Sequence, residues 1–121
     1  MENVKLNNVS KKLYESNNLK DLKQLVNLSK EKFANNIAFK IRSKEDKIID
    51  ITYKTYAEDI DGLGTALISI GLKDKRIAVI SENRYEWGVT YLATVNGVGV
   101  CVPLDRSLPE NEIIDLVKRS E

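Results

Sequence analysis

Between Thr52 and Gly71 the apolar residues Tyr56, Ile60, Leu63, Leu67 and Ile70 recur at alternating steps of four and three. That spacing is one face of a long amphipathic helix. Thr52 is placed to cap its amino end and Gly71 to stop it, with Leu72 supplying the hydrophobic contact that follows such a stop. Upstream, the stretch "NLKDLKQLVNLSKEKF" puts Leu22, Val26 and Phe33 on roughly one helical face with Leu25 beside them, and Asn18 with Asp21 as a cap pair. Between these helices, "IAFKIR" (37–42) and "KIIDITY" (47–53) alternate apolar and polar residues around the charged tip Ser43-Lys44-Glu45-Asp46. They predict a β-hairpin.

After the second helix the rhythm changes. "RIAVIS" (76–81) reads as a strand, and Asn83 with Glu86 has the spacing of a capping box opening a helix over 84–96 through Trp87, Tyr91, Leu92 and Val95. "VGVCVPL" is a continuous apolar run, as expected of a parallel strand covered on both faces. Ser107 and Glu110 repeat the capping-box spacing, with Pro109 in the first turn, before a last helix packed through Ile113, Leu116 and Val117. From residue 52 on, the order helix, strand, helix, strand, helix predicts an α/β fold: a partial Rossmann-like layered subdomain whose parallel sheet is flanked by helices, preceded by a helix and a β-hairpin. Strands 76–81 and 98–103 should be adjacent and parallel. Residues 1–18, rich in Asn and Lys, form a leading arm with Leu6, Val9 and Leu13 available for docking. Residues 19–121 form the subdomain itself.

Composition narrows the chemistry more than the fold. The 121 residues carry 19 basic and 18 acidic side chains, a net charge of +1, which gives no electrostatic reason to expect nucleic acid or an anionic membrane. No apolar run approaches the ~20 residues of a membrane span, and the start Met1-Glu2-Asn3-Val4-Lys5 has no signal-peptide core. A cytoplasmic chain is expected. With no histidine, a Ser/His or Cys/His nucleophilic site and an imidazole metal site are excluded. The single cysteine, Cys101, can form no internal disulfide and sits in an apolar run, as an inert core residue would.

The glycines do not form a phosphate loop. Gly62 and Gly64 fall inside the amphipathic helix pattern, where close helix packing explains them; a dinucleotide loop would have to follow a strand and open a helix. Gly97 and Gly99 read as a helix stop and a tight strand entry. Two short segments remain, Ser81-Glu82-Asn83 and Asp105-Arg106-Ser107, both at carboxyl ends of predicted parallel strands, where open α/β sheets place ligands. Capping and solvated loops explain the same residues more simply. Trp87 and Tyr91, one turn apart, are expected in the core rather than as a substrate platform.

The run "ITYKTYAEDIDGLGTALISIGLKDKRIAVISENRYEWGVTYLATVNGVGVCVPLDRSLPENEI" resembles the amino-terminal region of adenylate-forming enzymes, above all bacterial long-chain fatty acid–CoA ligases. The resemblance rests on order and spacing: Thr52-Tyr53, Gly64 to Ala66 to Gly71, "RIAVISEN", Tyr85-Glu86-Trp87, Tyr91-Leu92-Ala93, Asn96-Gly97, then "VPLD" closing on Leu108-Pro109. It covers about residues 19–121, and departs from the wider superfamily at "LKDKR", where a Gly-Asp turn is common. It implies a two-step reaction, in which a fatty acid and Mg-ATP give an acyl-adenylate and pyrophosphate, and the CoA thiol then displaces AMP.

In the family a Ser/Thr/Gly-rich phosphate loop, an aromatic-Thr-Glu motif, a ribose-binding Asp and a lid lysine carry that chemistry, and none of these motifs occurs between Met1 and Glu121. The resemblance therefore implies an amino-terminal fragment, inactive alone, with neither a catalytic nor a metal-binding residue of its own. The parent enzyme would be cytoplasmic and able to sit peripherally on a membrane. One position carries over on the cofactor side: the loop after "VPLD" resembles a family loop with a basic residue near the CoA nucleotide, and Arg106 is the basic residue here. A free-standing interaction or dimerisation module is the rival expectation. On either reading, uncovered apolar surface predicts self-association.

Overall fold

The computed structural model of the chain describes residues 18–120. The leading arm, Asn18 apart, lies outside them. Helix α1 (Leu22–Phe33) opens on Asp21, whose carboxylate accepts from the Gln24 amide at 2.7 Å, while Gln24 Oε1 accepts from the Lys20 amide at 2.8 Å. This reciprocal pairing displaces the expected cap at Asn18, because Gln24 is three residues from Asp21 and can reach back. Only Val26 of the predicted face packs against the main core; Leu22, Leu25 and Phe33 stay exposed.

Strands β1 (Ile37–Arg42) and β2 (Ile48–Thr52) form the predicted antiparallel hairpin, with a register irregularity between Ile37 and Phe39. Helix α2 (Tyr53–Ser69) starts at the expected Thr52 cap, whose Oγ1 accepts from the Thr55 amide at 3.2 Å. It ends in a Schellman motif, with the Gly71 amide donating to Ile68 and the Leu72 amide to Leu67, Gly71 holding φ at 87°. Ile60 is 2 % exposed and forms the centre of the core with Val89 and Ala93, ringed by Val26, Tyr56, Leu63, Tyr85 and Leu92. The hairpin joins this core through aromatic edges: Phe39 meets Tyr56 at 4.8 Å and Tyr85 at 5.3 Å between ring centroids.

Strands β3 (Arg76–Ile80) and β4 (Val100–Leu104) pair in parallel, with Ile80 opposite Leu104. Helix α3 (Tyr85–Ala93) joins them through a wide turn at Thr94–Val98. The regular helix thus stops three residues before the predicted end at 96. Thr94 is fully buried there, its hydroxyl donating to the Thr90 carbonyl, and Gly97 takes φ 150° to redirect the chain. Gly99 is the tight strand entry the sequence predicts: a Cβ on it would overlap the Lys75 carbonyl oxygen. Gly64 lies close to Ala93 and Val98, as close helix packing requires, whereas nothing lies within 4 Å of a Cβ at Gly62, so packing does not explain that glycine.

Alternation along the parallel pair sets Ile77, Val79, Cys101 and Pro103 on one face and Ala78, Ile80, Val100, Val102 and Leu104 on the other. Val79 is buried, while Ile80 and Val100 are exposed. The expectation of cover on both faces therefore fails within the described residues. Helix α4 (Glu110–Arg119) has Pro109 at its cap, without a side-chain hydrogen bond, and buries no residue. The Ser107–Glu110 capping box does not form, because the Ser107 amide and hydroxyl both donate to Asp105 Oδ1. Ile113 and Leu116 are half-buried and Val117 is exposed, so the predicted packing of this helix is only partial.

Candidate functional site

Because β3 and β4 run parallel in register, the segments following them leave the same end of the sheet. Ser81-Glu82-Asn83 leads into α3 and Asp105-Arg106-Ser107 towards α4. The two segments singled out in the sequence, 24 residues apart, are brought together around one open crevice of about 650 Å³. Trp87 lines it from the first turn of α3, stacked on Tyr91 with centroids 5.3 Å apart and planes 5° from parallel. Both rings are half-buried and outside the central core cluster, against the expectation of two core residues. One face of the Trp87 ring is taken by Tyr91.

The predicted Asn83–Glu86 capping box is absent. Arg84 is the cap residue of α3, and its guanidinium binds the Glu86 carboxylate at 3.1 and 3.2 Å. Glu86's own backbone amide, with the Arg84 guanidinium assisting, holds its carboxyl below the usual range. Asp105 is likewise held low, by the Ser107 hydroxyl and amide. Across the crevice Arg106 Nη1 contacts Glu82 Oε1 at 2.6 Å. The sequence carried no signal for this pair, since Glu82 is a plausible capping or solvated residue until the sheet brings the two turns together.

Elsewhere, the Tyr85 hydroxyl donates to Asp59 Oδ2 at 2.8 Å; burial and that carboxylate push its pKa upward. The bond ties α3 to α2. Cys101 is half-buried and burial pushes its thiol up, the opposite of an activated nucleophile. A smaller cavity of about 200 Å³ lies by Asp61, Thr65 and Asn96, and Asn96 Oδ1 is buried there without a hydrogen-bond partner. Among the described residues there is no group of three or more His, Cys, Asp or Glu side chains able to hold a metal, and no helix is long and apolar enough to cross a membrane.

The crevice offers one guanidinium against two carboxylates, Glu82 and Asp105.

Comparison with known proteins accords with this architecture. Residues 27–121 match the family model of AMP-binding enzymes. The chain belongs to that family, the adenylate-forming enzymes. Among curated relatives, fatty acyl-CoA synthetase A of Dictyostelium discoideum is 38% identical over 72 residues, which are 59% of this chain and 11% of that protein. Among solved structures, the N-terminal subdomain of Klebsiella oxytoca NpsA superposes with a TM-score of 0.71 at 23% identity, over 83% of this chain and 25% of that one. IdnL1 gives 0.74 at 17% identity, over 84% of this chain and 21% of that one. The chain therefore spans between about a tenth and a quarter of the length of these three matches.

Proposed function

We propose that this chain is the amino-terminal subdomain of an ATP-dependent fatty acid–CoA ligase, with long-chain fatty acids as substrates of the whole enzyme. The 38% identity to a fatty acyl-CoA synthetase is the observation that carries this reading. The whole enzyme would use Mg-ATP to form the acyl-adenylate and CoA to release it. Transition-state stabilisation in such a reaction needs preorganised positive charge around the transferring phosphate. Among the described residues, Arg106 is the one cationic side chain lining the crevice, and we assign Arg106 to the CoA nucleotide side.

The 121-residue chain is accordingly expected to be inactive alone. Pyrophosphate exchange with a long-chain fatty acid should stay at background, and calorimetry with Mg-ATP should show no saturable binding. Micromolar ATP binding by the isolated chain would overturn the reading of it as scaffold without a phosphate loop.

A second expected property is self-association. Ile80, Val100, Ile114 and Val117 are exposed although apolar, and the two-stranded β3–β4 sheet leaves each strand one unpaired edge among the described residues. Open edges and contiguous apolar surface both favour pairing with a second copy. Light scattering over a concentration series should show a dimer or larger species. A monomer at every concentration would count against this and move weight to a self-sufficient interaction module.

A further inference from the structure

The geometry points to Glu82 as a specificity-determining residue that competes with phosphate for Arg106, a reading that rests on the assignment of Arg106 to a nucleotide phosphate. Glu82 Oε1 lies 2.6 Å from Nη1 of the guanidinium as an ion pair. The fork has five N–H donors, and a phosphate needs two parallel ones to bind in its preferred geometry. With Glu82 in place, an incoming phosphate meets a like charge already paired with the guanidinium across the crevice. Asp105 adds a second negative charge on the same turn, but its carboxylate is already engaged by Ser107. Glu82 is the carboxylate that directly contacts the guanidinium.

The pair is displaceable. The Arg106 and Glu82 side chains are 59% and 56% exposed, and exposed ion pairs contribute little, because water and salt screen them. A phosphate dianion is drawn to Arg106 twice as strongly as a single charge, and is repelled twice as strongly by Glu82, so removing the Glu82 charge should favour it. Glu82 thereby sets how strongly a phosphate binds Arg106. Backbone geometry plays no part in this, as the two turns are set by the sheet and not by the ion pair.

Trp87 is the single tryptophan of the chain and lines the same crevice, so its fluorescence reports occupancy. The probe is adenosine 3′,5′-bisphosphate, with inorganic phosphate as a second arm to separate a nucleotide from any phosphate. Backbone amide shifts of residues 81–83 and 105–107 are followed in parallel. Glu82→Gln keeps the shape and an acceptor oxygen but removes the charge. It should bind the probe about five- to tenfold more tightly than the unaltered chain, as loss of a weak exposed pair plus one repulsion implies. The gain should shrink with added salt and vanish in Glu82→Gln/Arg106→Gln.

Equal or weaker binding by Glu82→Gln, with Arg106→Gln still abolishing binding, overturns the competition and leaves the Arg106 assignment standing. A gain that persists in the double variant also overturns it, since Glu82 would then act through general charge. Binding indifferent to Arg106→Gln, or absent in every variant, overturns the Arg106 assignment and this inference with it. Equal response to both probes would show that phosphate alone, and not the nucleotide, is recognised.

Discussion

Replacing Ile60 with alanine is expected to destabilise the chain by about 3 kcal/mol, near the middle of the range for large-to-small changes at a fully buried aliphatic site. Ile60 is 2 % exposed, and the residues around it come from α1, α2 and α3: Val26, Tyr56, Leu63, Tyr85, Val89, Leu92 and Ala93. Removing three carbons there opens a void that no single helix can close, because the rings of Tyr56 and Tyr85 are braced against Phe39 of the hairpin. The core is also small. Only seven apolar residues among those described are buried, so one cavity takes a large share of a stability of ~5–15 kcal/mol. Urea unfolding followed by circular dichroism should show a midpoint well below that of the unaltered chain. Ile60→Val, which removes one methyl group, should cost ~1 kcal/mol. A loss under 1 kcal/mol for Ile60→Ala would mean that the three helices do not share one core.

The elements were legible in the sequence wherever a local signal agreed with the tertiary arrangement. Thr52 and Gly71 bound α2 as predicted because both act on the backbone within one turn, independently of distant residues. The adjacency of β3 and β4 followed from the order of elements and the apolar run "VGVCVPL". Three boundaries were misplaced for one reason, a competing side chain. Gln24 selects Asp21 over Asn18, Arg84 captures Glu86, and Asp105 captures Ser107. The Asp21–Gln24 spacing was itself a capping-box signal.

The turn at Thr94–Val98 was illegible for a different reason. It depends on complete burial of the Thr94 side chain, which no periodicity reports. The same limit applies to the crevice. Both of its loops could be named from their places after predicted strands, but the Glu82–Arg106 contact spans 24 residues and exists only once the sheet has formed. Exposure of the predicted α1 and α4 faces shows the converse limit, since an amphipathic pattern records which side is apolar and not what covers it.

Two glycine-to-alanine changes should act in opposite directions, and the contrast isolates the joint on which the parallel sheet depends. Gly99→Ala should destabilise by about 3 kcal/mol or more, at the upper end of overpacking effects, because the obstacle is backbone and cannot rotate aside. An added Cβ would overlap the Lys75 carbonyl oxygen and lie 3.1 Å from the Lys75 carbonyl carbon and amide nitrogen. That same carbonyl accepts from the Val100 amide at 3.0 Å, immediately before the Arg76–Val100 pair that begins the β3–β4 register. Relieving the overlap therefore pushes β4 off β3 at its first residue. The segments around the crevice are fixed relative to each other by that pairing, so the Glu82–Arg106 contact should be lost with it. Gly62→Ala places its Cβ in open space on an exposed turn of α2. It should stabilise by roughly 0.5–1 kcal/mol, since alanine loses less backbone entropy in a helix. Thermal melts of both variants, with Trp87 fluorescence as a second probe, separate the two effects. A Gly99→Ala chain as stable as the unaltered one would show that Lys75 and Gly99 are not in backbone contact, and would remove the physical basis for the register of the parallel pair.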